Sequence, residues 1–391
     1  MSRHDTSLAA QPADDGPGRA HGPDRGSGHG PSGGSSTAPG PGHPPTTATH
    51  TPIARVIALG IGLAALVSVI VLAFSWPSIT AAPRDLPIAI AGPAEAVTAA
   101  EQAVDDAQPG VIAFDTVVDR DAAVDAIEAR EVYGAIVLGP EPEVLTSSAS
   151  SLVVVQLLTA LGGQLEQGVN AQAAAAAQAA GAPSAPPHID VAVTDVVPLA
   201  DTDPRGTGLS AALFPLVLGG MIGGIAISVV VIGALRRLLA VGVYALVGGL
   251  ALAAILGPWF GALQGELWLN TVAIALALAA IAAPITGFVA LFGRAGIAVG
   301  PIVMLLFANP ISGVALPKEF YPVPWGEVGQ WFPPGAAATL VRELSYFPAA
   351  DMTFPWLVLV AWAVGGALLS VVGHFRTAGA AEPDPEAALA T

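Results

Sequence analysis

The sequence predicts an all-α membrane protein: six transmembrane helices, with an α/β extracytoplasmic domain inserted between the first and second. Three observations carry that expectation. Charged residues make up 11% of the chain and apolar residues 53%. Uncharged apolar runs recur, each long enough to cross a bilayer as a helix of about 20 residues. The few arginines that separate the runs alternate in the way that orients membrane segments, with cations held on the cytoplasmic side.

Residues 1–52 are rich in Gly, Pro, Ser, Thr and His and nearly free of large apolar side chains, so they read as a disordered cytoplasmic tail. The irregular spacing of His21, His29, His43 and His50 is a weak metal signal. Residues 53–76 form the first span, with Arg55 at its start. The long polar lead makes it an uncleaved signal anchor rather than a leader peptide.

Residues 77–207 read as the soluble extracytoplasmic domain. Between Ser78 and Thr207 there are 18 carboxylates and 4 arginines, a solvated acidic surface that argues against nucleic acid as a partner. Leu86–Ala91, Gly110–Val118 and Tyr133–Leu138 read as strands. A helix follows Gly92-Pro93, and another is capped by Asp119 with Val124 and Ile127 inside. Ser150–Ala180 is a long helix with Val154, Leu158, Leu161 and Leu165 in one stripe, and Ile189–Leu199 is a further strand. Asp115, Asp119 and Asp121 cluster, but a helix-capping turn explains them as well as a cation would.

Residues 208–376 form the five-helix domain, with spans expected at 209–233, 238–263, 267–292, 295–316 and 354–375. Arg236, Arg237 and Arg294 mark its cytoplasmic loops and are the candidate contacts for a cytoplasmic partner; both termini, including the 377–391 tail, fall on that side. No ionisable residue lies deeper than the span edges, so a gradient-driven carrier, which needs a titratable group near the midplane, is disfavoured. The one lysine, Lys318, is followed by Glu319, so there is no phosphate-cradling G-x-x-x-x-G-K-[ST] loop. No catalytic constellation, cofactor motif or metal set emerges, and cysteine is absent. Gly219, Gly220, Gly223 and Gly224 give two overlapping G-x-x-x-G spacings for close helix packing. Asn309 and Pro310 place an amide and a freed carbonyl near the outer end of the fifth span.

Residues 317–353 read as an outer interfacial element. Trp325 and Trp331 favour the lipid–water boundary, and Pro333-Pro334 opens a short amphipathic helix. Leu340, Leu344 and Phe347 share its apolar face, with Arg342 and Tyr346 turned away. For Arg342 the sequence leaves open a lipid headgroup, a pairing with Glu343 or Asp351, or water. With Asn309, Pro310 and Trp331 it makes up the candidate transport-path or gating set.

The order of elements, the stretch VTDVVPLADTDPRGTGLSAALFPLVLGGMIGG and the stretch FPPGAAATLVRELSYF together resemble the membrane subunits of the type-2 ABC exporter superfamily, within it the phage-infection-protein-like bacterial membrane proteins. That resemblance implies a plasma-membrane homodimer, bound to a separate cytoplasmic ATP-binding subunit, that moves a lipid, polymer, peptide or drug outward. The alternative is a non-transport envelope protein whose soluble domain binds a partner or phage.

Overall fold

The computed structural model describes residues 51–181, 184 and 186–379, with side chains described to Arg376. Residues 1–50 and 380–391 of the two expected tails, and with them the four tail histidines, lie outside the described residues, while the last helix continues to Gly379, three residues into the expected second tail. The chain divides into a unit ending at Ile57 and a unit from Ala58 onward. The elements are α1 (Ile53–Thr80), β1 (Leu86–Ala91), α2 (Ala94–Ala107), β2 (Ile112–Thr116), α3 (Arg120–Glu128), β3 (Gly134–Val137), β4 (Glu143–Thr146), α4 (Leu152–Ala179) and β5 (Ala192–Asp195). Then follow α5 (Thr207–Val230), α6 (Ala234–Ala254), α7 (Leu267–Phe292), α8 (Trp325–Gln330), α9 (Pro333–Tyr346) and α10 (Thr353–Gly379).

The α/β segment forms because its strands alternate. Leu86, Ile88 and Ile90 of β1 pack with Val97 of α2 and with Val154 and Leu158 of α4 on one face of the sheet. Ala89 packs with Ala123 and Ile127 of α3 on the other. The strand order is β2-β1-β3-β4-β5, parallel except for the antiparallel β3–β4 pair. Asp119 caps α3 by accepting the Ala122 N–H at 2.9 Å, and Ser151 caps α4 by accepting that of Val154. The β3–β4 hairpin has no counterpart in the sequence reading, which carries three strands in that half.

Six helices are long and apolar enough to cross a membrane, the mark of a multi-pass membrane protein: α1, α4, α5, α6 with its extension to Trp259, α7 with its extension to Ala298, and α10. Five match expected spans. The sixth, α4, lies across the sheet. The expected span at 295–316 is not one continuous helix. It is a 3-10 stretch (Gly293–Ala298), a π-helical stretch (Pro301–Ala308) and a 3-10 turn (Asn309–Ile311). Pro301 and Pro310 each lack an N–H and break the regular ladder. The stretch runs back along α7, with Met304 packed beside Ile281 and Ile285. At Gly300 a side chain would collide with Ile285.

Contacts fix the helix directions. Gly220 meets Ile281, and Gly224 meets Ala282 and Ile285, so α5 and α7 run the same way. Gly366 meets Ala283 and Pro284, and Gly373 meets Ala290, so α10 runs with them. In α6, Val241 lies near Ala282 while Gly249 lies near Ala275, so α6 runs the other way. Arg236, Arg237, Arg294 and Arg376 therefore share one end of the bundle. The doubled glycine spacing of α5 serves two neighbours at once: Gly220 and Gly224 admit α7, and Gly223 admits the Tyr244 ring of α6, whose hydroxyl donates to the Gly219 carbonyl at 2.7 Å. By contrast, α1 is exposed along nearly its whole length.

Candidate functional site

The helix α9 sits at the opposite end of the bundle from the arginines, between the bundle and the α/β segment. Two prolines fit its first turn, where their missing N–H groups need no partner. Ala336, Ala337, Ala338, Leu340 and Val341 pack into the α5–α7–α10 core, each almost wholly buried. Gly326, Gly329 and Gly335 let residues 311–335 fold tightly beneath it, where side chains would strike the carbonyls of Lys318, Ile311 and Gly329.

The other face of α9 is polar and meets the α/β segment through Glu343, with Arg342 and Tyr346 partly exposed beside it. Glu343 is 7% exposed, and its Oε1 accepts from Arg130 Nη1 at 2.8 Å. Its Oε2 has no partner among the described residues. Burial pushes the Glu343 carboxyl above its ordinary range, and the Arg130 charge opposes that shift. Arg130 follows the end of α3 with φ +59°, a left-handed position usually held by glycine, and its guanidinium lies over the Phe347 ring at 5.7 Å. A bulky residue in that conformation costs roughly 1–2 kcal/mol, so placement of the arginine offsets local strain. Beside it, the Tyr133 hydroxyl donates to Glu319 Oε2 at 2.8 Å. Burial, then the Glu319 charge, drives the Tyr133 pKa upward.

Arg342 lies deep in this junction, and water reaches its side chain only in part. Of the roles left open for it, the pairing with Glu343 or Asp351 does not form among the described residues: Glu343 is engaged by Arg130, and Asp351 caps the Thr353 N–H. Its one hydrogen bond, to the Val314 carbonyl, is 3.5 Å long. Burial, then the neighbouring Arg130 charge, depresses its pKa to about 10, so it remains a cation at neutral pH. It borders two cavities, of about 150 Å³ and about 300 Å³. Ser148, Ser150, Ser151 and Arg205 line the smaller one. Arg130, Lys318, Glu319 and Glu343 line the larger.

The candidate path residues do not form one site. Asn309 and Pro310 border a separate cavity of about 200 Å³ with Phe74, Phe214 and Tyr321. The Asn309 carbonyl is taken by Ser312, whose hydroxyl donates at 2.7 Å. Trp331 is 62% exposed, set edge-on to Phe354, and its carbonyl accepts from Trp362 Nε1 at 2.8 Å. Of the cytoplasmic candidates, Arg236 and Arg294 are exposed, whereas Arg237 caps the end of α5 through the carbonyls of Ser228 and Val231.

Sequence reasoning missed Arg130, Tyr133, Glu319 and the serines. The run Thr146-Ser147-Ser148-Ala149-Ser150-Ser151 was the visible signal: hydroxyls gathered just before a long helix. It also missed Glu166, His188 and Asp190, whose ligating atoms lie within 4.8 Å of one another on the surface. Glu166 there accepts the Val191 N–H, a structural task, and His188 and Asp190 are exposed. Asp119 of the acidic trio is a helix cap. Compared with known proteins, the chain matches no family model, no curated protein and no solved structure.

Proposed function

We propose that this chain is a multi-pass permease subunit of the bacterial plasma membrane. It moves an amphipathic substrate outward, works as a dimer, and takes its energy from a separate ATP-binding subunit. The α/β segment is its extracytoplasmic part, inserted after the first span, and both termini are cytoplasmic. The sharing of one bundle end by Arg236, Arg237, Arg294 and Arg376 supports this orientation.

One observation carries the reading. Among the described residues, the membrane-length helices of the bundle hold no titratable charge away from their ends, while the charged residues gather at α9, which grips the bundle on one face and the α/β segment on the other. A bundle so built has no side chain with which to harvest an ion gradient. It has a rigid element through which motion of one part would reach the other. Arg236 and Arg294 are the exposed cations that a cytoplasmic subunit would meet.

Purification from native membranes tests this. An ATP-hydrolysing subunit should accompany the chain and be lost in the Arg236→Gln/Arg294→Gln variant. Liposomes holding the chain alone should move nothing uphill on a pH difference; uphill movement there, without nucleotide, refutes the reading. A chain that neither brings such a subunit nor transports would be an anchored receptor. The cavities at the α9 junction, outside the core of the bundle, favour that second reading.

A further inference from the structure

We infer that the cavity of about 150 Å³ at the start of α4 is a binding site for a phosphate-type anion, either free phosphate or the phosphate of a lipid headgroup. Arg342 and Arg205 are its counter-charges and Ser148, Ser150 and Ser151 its hydroxyl donors. The inference goes beyond transport and does not depend on it.

Four features converge. No carboxylate lines the cavity, although the surrounding segment carries 18 carboxylates against 4 arginines. Arg342 is a deeply placed cation whose five donors share one long hydrogen bond and which has no ion pair among the described residues, the neighbouring Glu343 carboxylate being bonded to Arg130. Arg205, an exposed residue from the turn before α5, also lines the cavity and has no ion pair among the described residues. Ser150 is 4% exposed and accepts from Ser147 Oγ at 3.0 Å, which leaves its own proton for a ligand.

The first turn of α4 also lines the cavity, and its leading N–H groups have no partner within the helix. The start of α5 shows the contrast. There the Asp203 carboxylate already accepts the N–H groups of Thr207, Gly208 and Leu209, so the chain supplies its own anion. At α4 the neutral Ser151 cap supplies no charge. The volume suffices for a phosphate group with water, since a single water needs roughly 10–15 Å³ of such space.

The test uses the full chain in uncharged detergent, with equilibrium binding of radiolabelled inorganic phosphate. Melting temperature is then measured in the same phosphate-free detergent with and without added phosphatidylglycerol. Saturable single-site phosphate binding, weakened about tenfold or more in Arg342→Met and in Arg205→Met and unchanged in Arg376→Gln, supports a soluble anion. A melting temperature raised by phosphatidylglycerol in the wild type but not in Arg342→Met supports a lipid headgroup. Equal behaviour of wild type and Arg342→Met in both arms, or no effect of either anion, overturns the inference. Arg342→Met removes an unpaired cation and should melt, without anion, no lower than wild type. Arg205→Met, at an exposed position, guards against misfolding. The binding isotherm is read on the purified chain alone, so failure of an ATP-hydrolysing subunit to co-purify leaves it unaffected.

Discussion

Removing the Glu343 carboxylate should unlock α9 from the α/β segment. The Arg130–Glu343 pair is short, at 2.8 Å, and its side chains are 16% and 9% exposed. Breaking such a pair from one side typically costs about 3–5 kcal/mol, because the surviving charge is left buried. Here the cost should sit at the lower end of that range, because burial of the Glu343 carboxyl, which raises its pKa, offsets part of the pair's attraction. Glu343→Gln leaves two guanidinium groups, Arg130 and Arg342, with no neutralising charge between them. Replacing both partners, in Arg130→Met/Glu343→Met, removes the orphan; what remains is mainly the contact of Arg130 with the Phe347 ring, about 0.5–2 kcal/mol. The cycle of single and double variants should therefore show coupling of about 2 kcal/mol or more. Pulse proteolysis across a urea series, scoring cleavage within residues 311–332, reads it. Single variants that add within about 0.5 kcal/mol would refute the reasoning. The pH dependence carries a sign. With its folded pKa raised, Glu343 makes the native state hold more protons than the unfolded chain, so its contribution to stability falls as pH climbs from about 4.3, the ordinary glutamate value, through the raised one. Glu343→Gln should flatten that slope.

Glu143 should act in the opposite direction. Its hydrogen bonds from Arg120 and Thr194 lower its pKa, so its contribution is present at neutral pH and is lost as pH falls below the ordinary carboxylate range; Glu143→Gln should abolish that acid loss in a pH-resolved melting series. Gly366→Ala drives a methyl group into the backbone of Ala283 and Pro284 and should cost about 1–3 kcal/mol. The adjacent Gly365→Ala meets nothing within 4 Å and should be neutral or slightly stabilising, so equal melting of the two would dismiss the close α7–α10 contact. Trp325→Leu removes edge-to-face contacts with Trp76 and Phe307, each worth about 0.5–1.5 kcal/mol beyond area, and should lower the urea midpoint accordingly.

Much of this architecture is legible in the chain because local signals agree. Alternation gives β1, proline and glycine bound the strands, and Asp119 announces α3. Hydropathy finds α1, α5, α6, α7 and α10, whose apolar runs suit any low-dielectric setting. It misjudges 295–316, because hydropathy does not register that Pro301 and Pro310 withhold donors or that Gly300 must lie flush on Ile285. By contrast α4, apolar enough to span a bilayer yet spread over a sheet, is legible as a helix of the α/β segment from its stripe of Val154, Leu158, Leu161 and Leu165. The candidate site was less visible. Arg342 shows as a lone cation on an amphipathic helix, but Arg130 lies 213 residues from Glu343, and no local periodicity links them. Sequence patterning speaks of faces; it does not say which other segment will cover a face.

The paired glycine ledges of α5 have a bearing on assembly. Small residues at this spacing are the usual footing for two copies of a membrane helix to lie against each other. In this chain that footing is occupied from within, by α7 on one side and by an aromatic ring of α6 on the other. If the chain pairs as proposed, the pairing must recruit a different surface. The long bare flank of α1, which touches almost nothing in its own molecule, is where cross-linking between copies should begin.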